Sequence, residues 1–246
     1  MIRAELLMLR KRASTWVLLG IWTVFGSFVV YGIPYATDPK YAPGEVDQFF
    51  PQSLAGTVLG GFPFLGGVFA LMLGVLAAKL AGLGIVLVAF SVALFGAGAL
   101  VSTMIAHVEH ARVAWPSVGL LVRAVAAGWL ILAVWATLGV LLGIATRGTS
   151  LAIGIGILYT VVAEGLLSAL TDSIDVLTPL TTVFLRANGY SIAVALGAPV
   201  DSFQSAGPRA YGGPLVSSGQ AVAVLVACAA AFLAVAAWLL QRRDVT

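Results

Sequence analysis

Glu164 has the most to explain in this chain. It stands in an apolar run from Ser150 to about Leu170, long enough to cross a bilayer. An ionised carboxylate in the middle of a membrane costs about 2.5–3.5 kcal/mol on insertion scales. Its side chain must therefore face protein or water, or be neutralised by a proton. Two roles follow: a polar lining or gating contact, or a carboxylate hydrogen-bonded to a neighbouring helix in the outer half of the membrane. A third, a proton site in a small ion-coupled carrier, would come with internal inverted symmetry, and the sequence shows no convincing repeat of that kind.

A second polar group is His107, Glu109 and His110. Two histidines three apart on a helix can share a metal, but two ligands do not make a site, and a polar helix end is expected at this position. No metal site is assigned. The chain has no G-x-x-x-x-G-K-[ST] phosphate loop, no H-E-x-x-H and no C-x-x-C, so it carries no catalytic or cofactor-binding motif and cannot hydrolyse ATP by the phosphate-loop route. Its single cysteine, Cys228, has no partner for an internal disulfide and reads as a packing residue.

The elements that must position these groups are membrane helices. Hydrophobic residues make up 61% of the 246 and charged residues only 9%, far below the roughly one quarter a water-exposed surface requires. The apolar runs are continuous rather than alternating, which excludes a β-barrel. The fold class is all-α, a single polytopic transmembrane domain with six spans at about 14–33, 54–78, 79–105, 120–145, 150–170 and 219–240. Residues 1–12 place Ile2, Leu6 and Leu9 on one face among Arg3, Glu5, Arg10, Lys11 and Arg12, the pattern of an interfacial amphipathic helix. Residues 34–53 and 171–218 form external segments, the second holding short external or re-entrant helices.

Charge sets the expected orientation. One side collects Arg3, Arg10, Lys11, Arg12, Lys79, Arg147, Arg242 and Arg243 against Glu5 and Asp244. The other collects Lys40, Arg112, Arg123, Arg186 and Arg209 against Asp38, Glu45, Asp47, Glu109, Asp172, Asp175 and Asp201. The positive-inside rule puts the first side, with both termini, in the cytoplasm of a cell-membrane protein. The net charge of +3 thus reflects topology, with no nucleic-acid partner. Gly56 with Gly60, Gly139 with Gly143, and more weakly Gly74 with Ala78, allow close helix packing. Trp115, Trp129, Trp135 and Trp238 read as interface anchors or lipid contacts.

Taken together, the basic amphipathic start, the proline-containing first external loop, the tight Arg147-Gly148-Thr149 turn, the fifth span with Glu164, the long segment before the sixth span and the Leu239-Leu240-Gln241-Arg242-Arg243-Asp244 ending resemble the permease subunits of type-2 ATP-binding-cassette transporters, mostly exporters. The resemblance covers nearly the whole chain and is one of architecture. It implies a homo- or heterodimer of permease chains in the lipid bilayer, bound to separate cytosolic ATPase subunits, with ATP and magnesium in those partners and no cofactor in this chain. Glu5, Arg10, Lys11, Arg12 and Lys79 become candidate ATPase contacts, although each is equally well explained as a topology determinant. One departure stands out. That family carries a charged coupling helix between spans two and three, whereas Ala77-Ala78-Lys79-Leu80 runs straight through. The expectation is that a piece of chain is missing there, with a break somewhere in 75–84. Without the resemblance, a non-transporting scaffold, immunity factor or sensor protein remains the alternative.

Overall fold

The computed structural model describes residues 13–37, 46–76, 80–170, 178–199 and 214–243. Among them the secondary structure is helical throughout, with no strand. We number the helices in chain order. Helix α1 covers 13–37, α2 covers 54–76, α3 is Leu80–Val108, α4 is Val118–Thr146, α5 covers 149–170, α6 is Thr178–Thr181, α7 is Leu185–Ala195 and α8 is Ser218–Arg243. Six of them, α1 to α5 and α8, contain stretches long and apolar enough to cross a membrane. The protein is an all-α polytopic membrane protein.

Three spans change helical register part-way: Phe28–Gly32 in α1, Phe62–Gly66 in α2 and Tyr159–Leu166 in α5 are π-helical. Two of these have a proline at hand. The Ile33 N–H reaches back to Phe28 O just before Pro34, and Gly66 N–H reaches Gly61 O around Pro63. A proline removes one backbone donor and crowds the preceding turn; a local π turn absorbs both effects without ending the helix. For this reason α1 continues past Ile33 to Thr37, beyond the end suggested by Pro34 in the sequence. Helix α4 starts at a Ser117 cap, whose side chain accepts from Leu120 N–H at 3.3 Å, and ends where Arg147 turns left-handed at φ 55°. Gly148 then caps α5.

Glycines dictate how the spans meet. A Cβ on Gly74 of α2 would lie 2.0 Å from the Ala136 carbonyl oxygen of α4, and one on Gly139 of α4 would lie 2.1 Å from the Leu71 carbonyl oxygen of α2. Phe62 fits over Gly128, and the Trp135 indole lies on Gly67. Both residue numbers rise together along this seam, so α2 and α4 run parallel in backbone contact. Helices α1 and α3 are parallel for the same reason: Gly26 meets Leu94, Tyr31 leans on Gly98, and the Tyr35 hydroxyl donates to Glu109. Phe69 of α2 links these pairs, its ring centroid 5.1 Å from Trp22 of α1 and 4.4 Å from Phe90 of α3.

One sequence expectation needs correction here. Trp135 is no interface anchor: it is 0% exposed at the centre of the core, because the missing side chain of Gly67 opens a slot for its ring. Trp115, Trp129 and Trp238 are exposed. Arg186, counted above with an external loop, is buried inside the bundle, where its charge has compensation described below. Of the stretch 75–84 in which a break is expected, 80–84 are continuous helix in α3, and residues 77–79 lie outside the described residues.

Candidate functional site

The short helix α7 is buried on every side: all residues from Leu185 to Ala193 are shielded. It runs antiparallel to α2, with Arg186 over the Phe64 ring at 5.0 Å, Gly189 against Pro63, and Gly197 against Gly56. Pro63 is near the middle of α2 and Gly56 near its start, so the N-terminus of α7 points into the bundle and its C-terminus points out. Ile131 of α4 flanks Gly189 as well. Gly197, at φ 95°, and Ala198 then turn the chain away so closely over Gly56 that a Cβ there would come within 2.2 Å of the Gly197 backbone.

A buried helix N-terminus is expensive, because its first amide groups have no partner within the helix. The residue in capping position is Phe184, which offers no side-chain acceptor. Glu164, from the π-helical turn of α5, supplies one. Its Oε1 accepts the Leu185 N–H at 2.7 Å and its Oε2 accepts the Arg186 N–H at 3.0 Å. The carboxylate is 0% exposed and is also held by the Tyr159 hydroxyl, which donates to Oε1 at 2.6 Å. An anion at a helix N-terminus is favoured by the helix dipole and by the aligned N–H groups. Hydrogen bonds to a charged group each contribute about 1.5–3 kcal/mol.

Arg186 completes the cluster. Its Nη1 lies 3.5 Å from the Thr160 carbonyl oxygen, at the outer limit for a hydrogen bond, and its guanidinium lies 5.0 Å from the Phe64 ring centroid and 5.8 Å from that of Tyr190. Gly165 leaves room for it, since a Cβ there would stand 3.3 Å from Nη1. A buried acid and a buried base thus occupy one site, as intramembrane charges generally do. Farther along α7, Asn188 Nδ2 donates to Thr182 O at 2.9 Å and to Phe184 O at 2.7 Å. Ser191 Oγ accepts the Val216 N–H at 3.0 Å and so ties the helix to the entry of α8.

The arrangement fastens α7 to α5 like a latch. It has a fixed anion on α5 and an inserted helix that carries the cation and presents its first amides to that anion. Of the residues singled out in the sequence, Glu164 is at its heart. Glu5, Arg10, Lys11, Arg12 and Lys79 lie outside the described residues. Glu109 is engaged by Tyr35, and among the described residues no three His, Cys, Asp or Glu side chains converge as a metal site would require. Sequence reasoning missed Tyr159, Arg186, Asn188 and Ser191. The signal for Arg186 was its place between Leu185 and Ala187, an isolated charge with Glu164 as the matching isolated charge in the preceding span. No protein-family model, curated protein or solved structure matches the chain.

Proposed function

We propose that this chain is the membrane-spanning permease subunit of an ATP-driven transporter, an exporter that works as a dimer with separate cytosolic ATPase subunits. The observation that carries the reading is the latched helix α7: a segment inserted among the spans and held through Glu164. In the proposed orientation, with both termini in the cytoplasm of a cell-membrane protein, α7 plugs the external end of the bundle. Release of the plug then belongs to the transport cycle. The partner ATPases bind ATP and magnesium and supply the energy; a conformational change follows only to the extent that ligands favour one state over the other. Glu164 is committed to three accepted hydrogen bonds, which argues against the ion-coupled carrier, where this carboxylate would be free to load and unload a proton.

The test is purification of the tagged full chain from its native membrane. A soluble ATPase should co-purify, and ATP-dependent transport in vesicles holding both should fall when Glu164→Ala loosens the plug. A pure chain that is functional without any ATPase would replace this reading with that of a scaffold or sensor protein, for which the same close packing would serve.

A further inference from the structure

The π stretch Tyr159–Leu166 of α5 is eight residues long, against five in α1 and in α2, and no proline accounts for it. Its effect is visible in the burial of the helix. Ala152, Gly156, Thr160, Glu164 and Ser168 are buried, one residue in every four, while Ile157, Leu158, Val161 and Val162 are exposed. An unbroken α-helix does not keep such a stripe on one side: with 3.6 residues per turn, Ser168 would stand about 160° round from Ala152. Residues seven apart share a face of an α-helix, so Glu164 would follow Ile157 and Ser168 would follow Val161, both exposed. The wider π turns cancel this drift.

The Glu164 cluster depends on the same register. Tyr159 and Glu164 are five residues apart, about 140° round from each other in an α-helix. Yet the Tyr159 hydroxyl donates to Oε1 at 2.6 Å, because residues five apart stack in a π turn. That register also aims the carboxylate at the Leu185 and Arg186 amides of α7. The first half of α5 is held separately, since Gly156 receives the Leu71 side chain of α2 so closely that a Cβ would lie 2.6 Å from it. A change of register therefore turns the second half, the half that carries Glu164.

We propose that α5 is a two-register helix that governs the docking of α7. The π register holds α7 in place; relaxation of Tyr159–Leu166 to α-helix turns Glu164 to the edge of the exposed face and lets α7 go. The coupling is reciprocal, because docked α7 supplies the bonds that keep the π turns formed. Water entering the place of α7 then solvates the freed carboxylate, as an intramembrane charge requires. The switch rests on α7 leaving its place, which the transport reading also invokes, but its readout is α7 itself.

Deletion of Val162, an exposed residue within the π stretch, tests the switch. With one residue fewer, a plain α-helix places Glu164 seven residues after Gly156 and four after Tyr159, and Ser168 seven after Thr160. The inward face survives without π turns, and relaxation no longer turns Glu164 away. Hydrogen exchange of the α7 amides, 185–193, is measured by mass spectrometry on the full chain in phosphatidylcholine nanodiscs. Exchange should slow by about fivefold or more, the effect of one net hydrogen bond on a local opening. Unchanged exchange would mean that the π turns persist whether or not α7 is docked, and faster exchange that docking needs them; either result overturns the switch. Deletion of Val161 produces the same register and must reproduce the slowing. If both deletions fail to fold, the buried stripe does not fit an α-helix and the proposal fails with it. In a Glu164→Ala background the deletion should leave α7 exchange as it was; slowing there would show that the register does not act through the carboxylate, and would sink the idea. A chain that proves to be no transporter leaves these outcomes untouched.

Discussion

Helices α2 and α8 are both membrane spans, yet they are opposites in use. The spanning window of α2 has a mean hydropathy of 2.0 and 61% of it is buried by the rest of the protein; that of α8 has a mean hydropathy of 2.6 and only 11% is buried. The more apolar helix is the more exposed. In water this ranking would be reversed, but lipid is as apolar as leucine, and the core of a membrane bundle is built from whatever packs and hydrogen-bonds best. The interior of this protein is accordingly where Gly67, Gly74, Gly128, Gly139 and the Glu164–Arg186 pair are found, while Val222, Val226, Val235 and Leu240 of α8 face outward.

The contrast can be broken most severely at Glu164. Replacing it by alanine leaves the Leu185 and Arg186 amides and the Tyr159 hydroxyl without their acceptor, and the buried Arg186 guanidinium without its nearby counter-charge, at an expected cost of about 3–5 kcal/mol. Glutamine keeps the shape and one acceptor oxygen, so a smaller loss is expected. Unfolding by denaturing detergent measures both; equal and negligible effects would show that α7 does not rely on this carboxylate.

The α2–α4 seam comes next. Gly74→Ala and Gly139→Ala each drive a methyl group into a carbonyl oxygen of the facing helix, and overpacking of this kind costs about 1–3 kcal/mol. In the same unfolding assay Gly219→Ala in α8 and Gly96→Ala in α3, where nothing stands within 4 Å, should be neutral or slightly stabilising. A penalty at Gly219 comparable with that at Gly74 would erase the difference between the two helices. The smallest effect belongs to Tyr35→Phe, which removes a bond to Glu109 at an exposed edge. Less than about 1 kcal/mol is expected there, and a larger loss would make that edge part of the core.

Hydropathy and charge were enough to read six spans, because continuous apolar runs leave few alternatives once water is excluded as the main solvent. Glu164 was legible as an anomaly, and its bonded neighbour turned out to be a helix the sequence could only describe as a short external or re-entrant piece. That helix was hard to see because Arg186, Asn188, Gly189 and Ser191 give it the composition of a loop; its first amides, the Arg186 guanidinium and the Ser191 hydroxyl meet Glu164, Thr160 and Val216, partners far away in sequence that no local pattern reveals. The glycine spacings pointed to close packing but not to a partner, and the contacts of Gly74 and Gly139 show it to be α2 against α4. Trp135 was misread because a tryptophan in a membrane span most often marks an interface, whereas here the slot above Gly67 decides its place. The sequence carried no sign of the π turn beneath Glu164, which has no proline to announce it.

The borrowed cap of α7 constrains the order of assembly. Its acceptor comes from 21 residues earlier in the chain, so the helix has no means of neutralising its own first amides while it emerges from the ribosome. Span five must already be seated before α7 can leave an aqueous or interfacial environment, and Val216, bonded to Ser191, follows only then. Biogenesis therefore has a late step, the tucking of one polar helix into a bundle whose earlier members are in place.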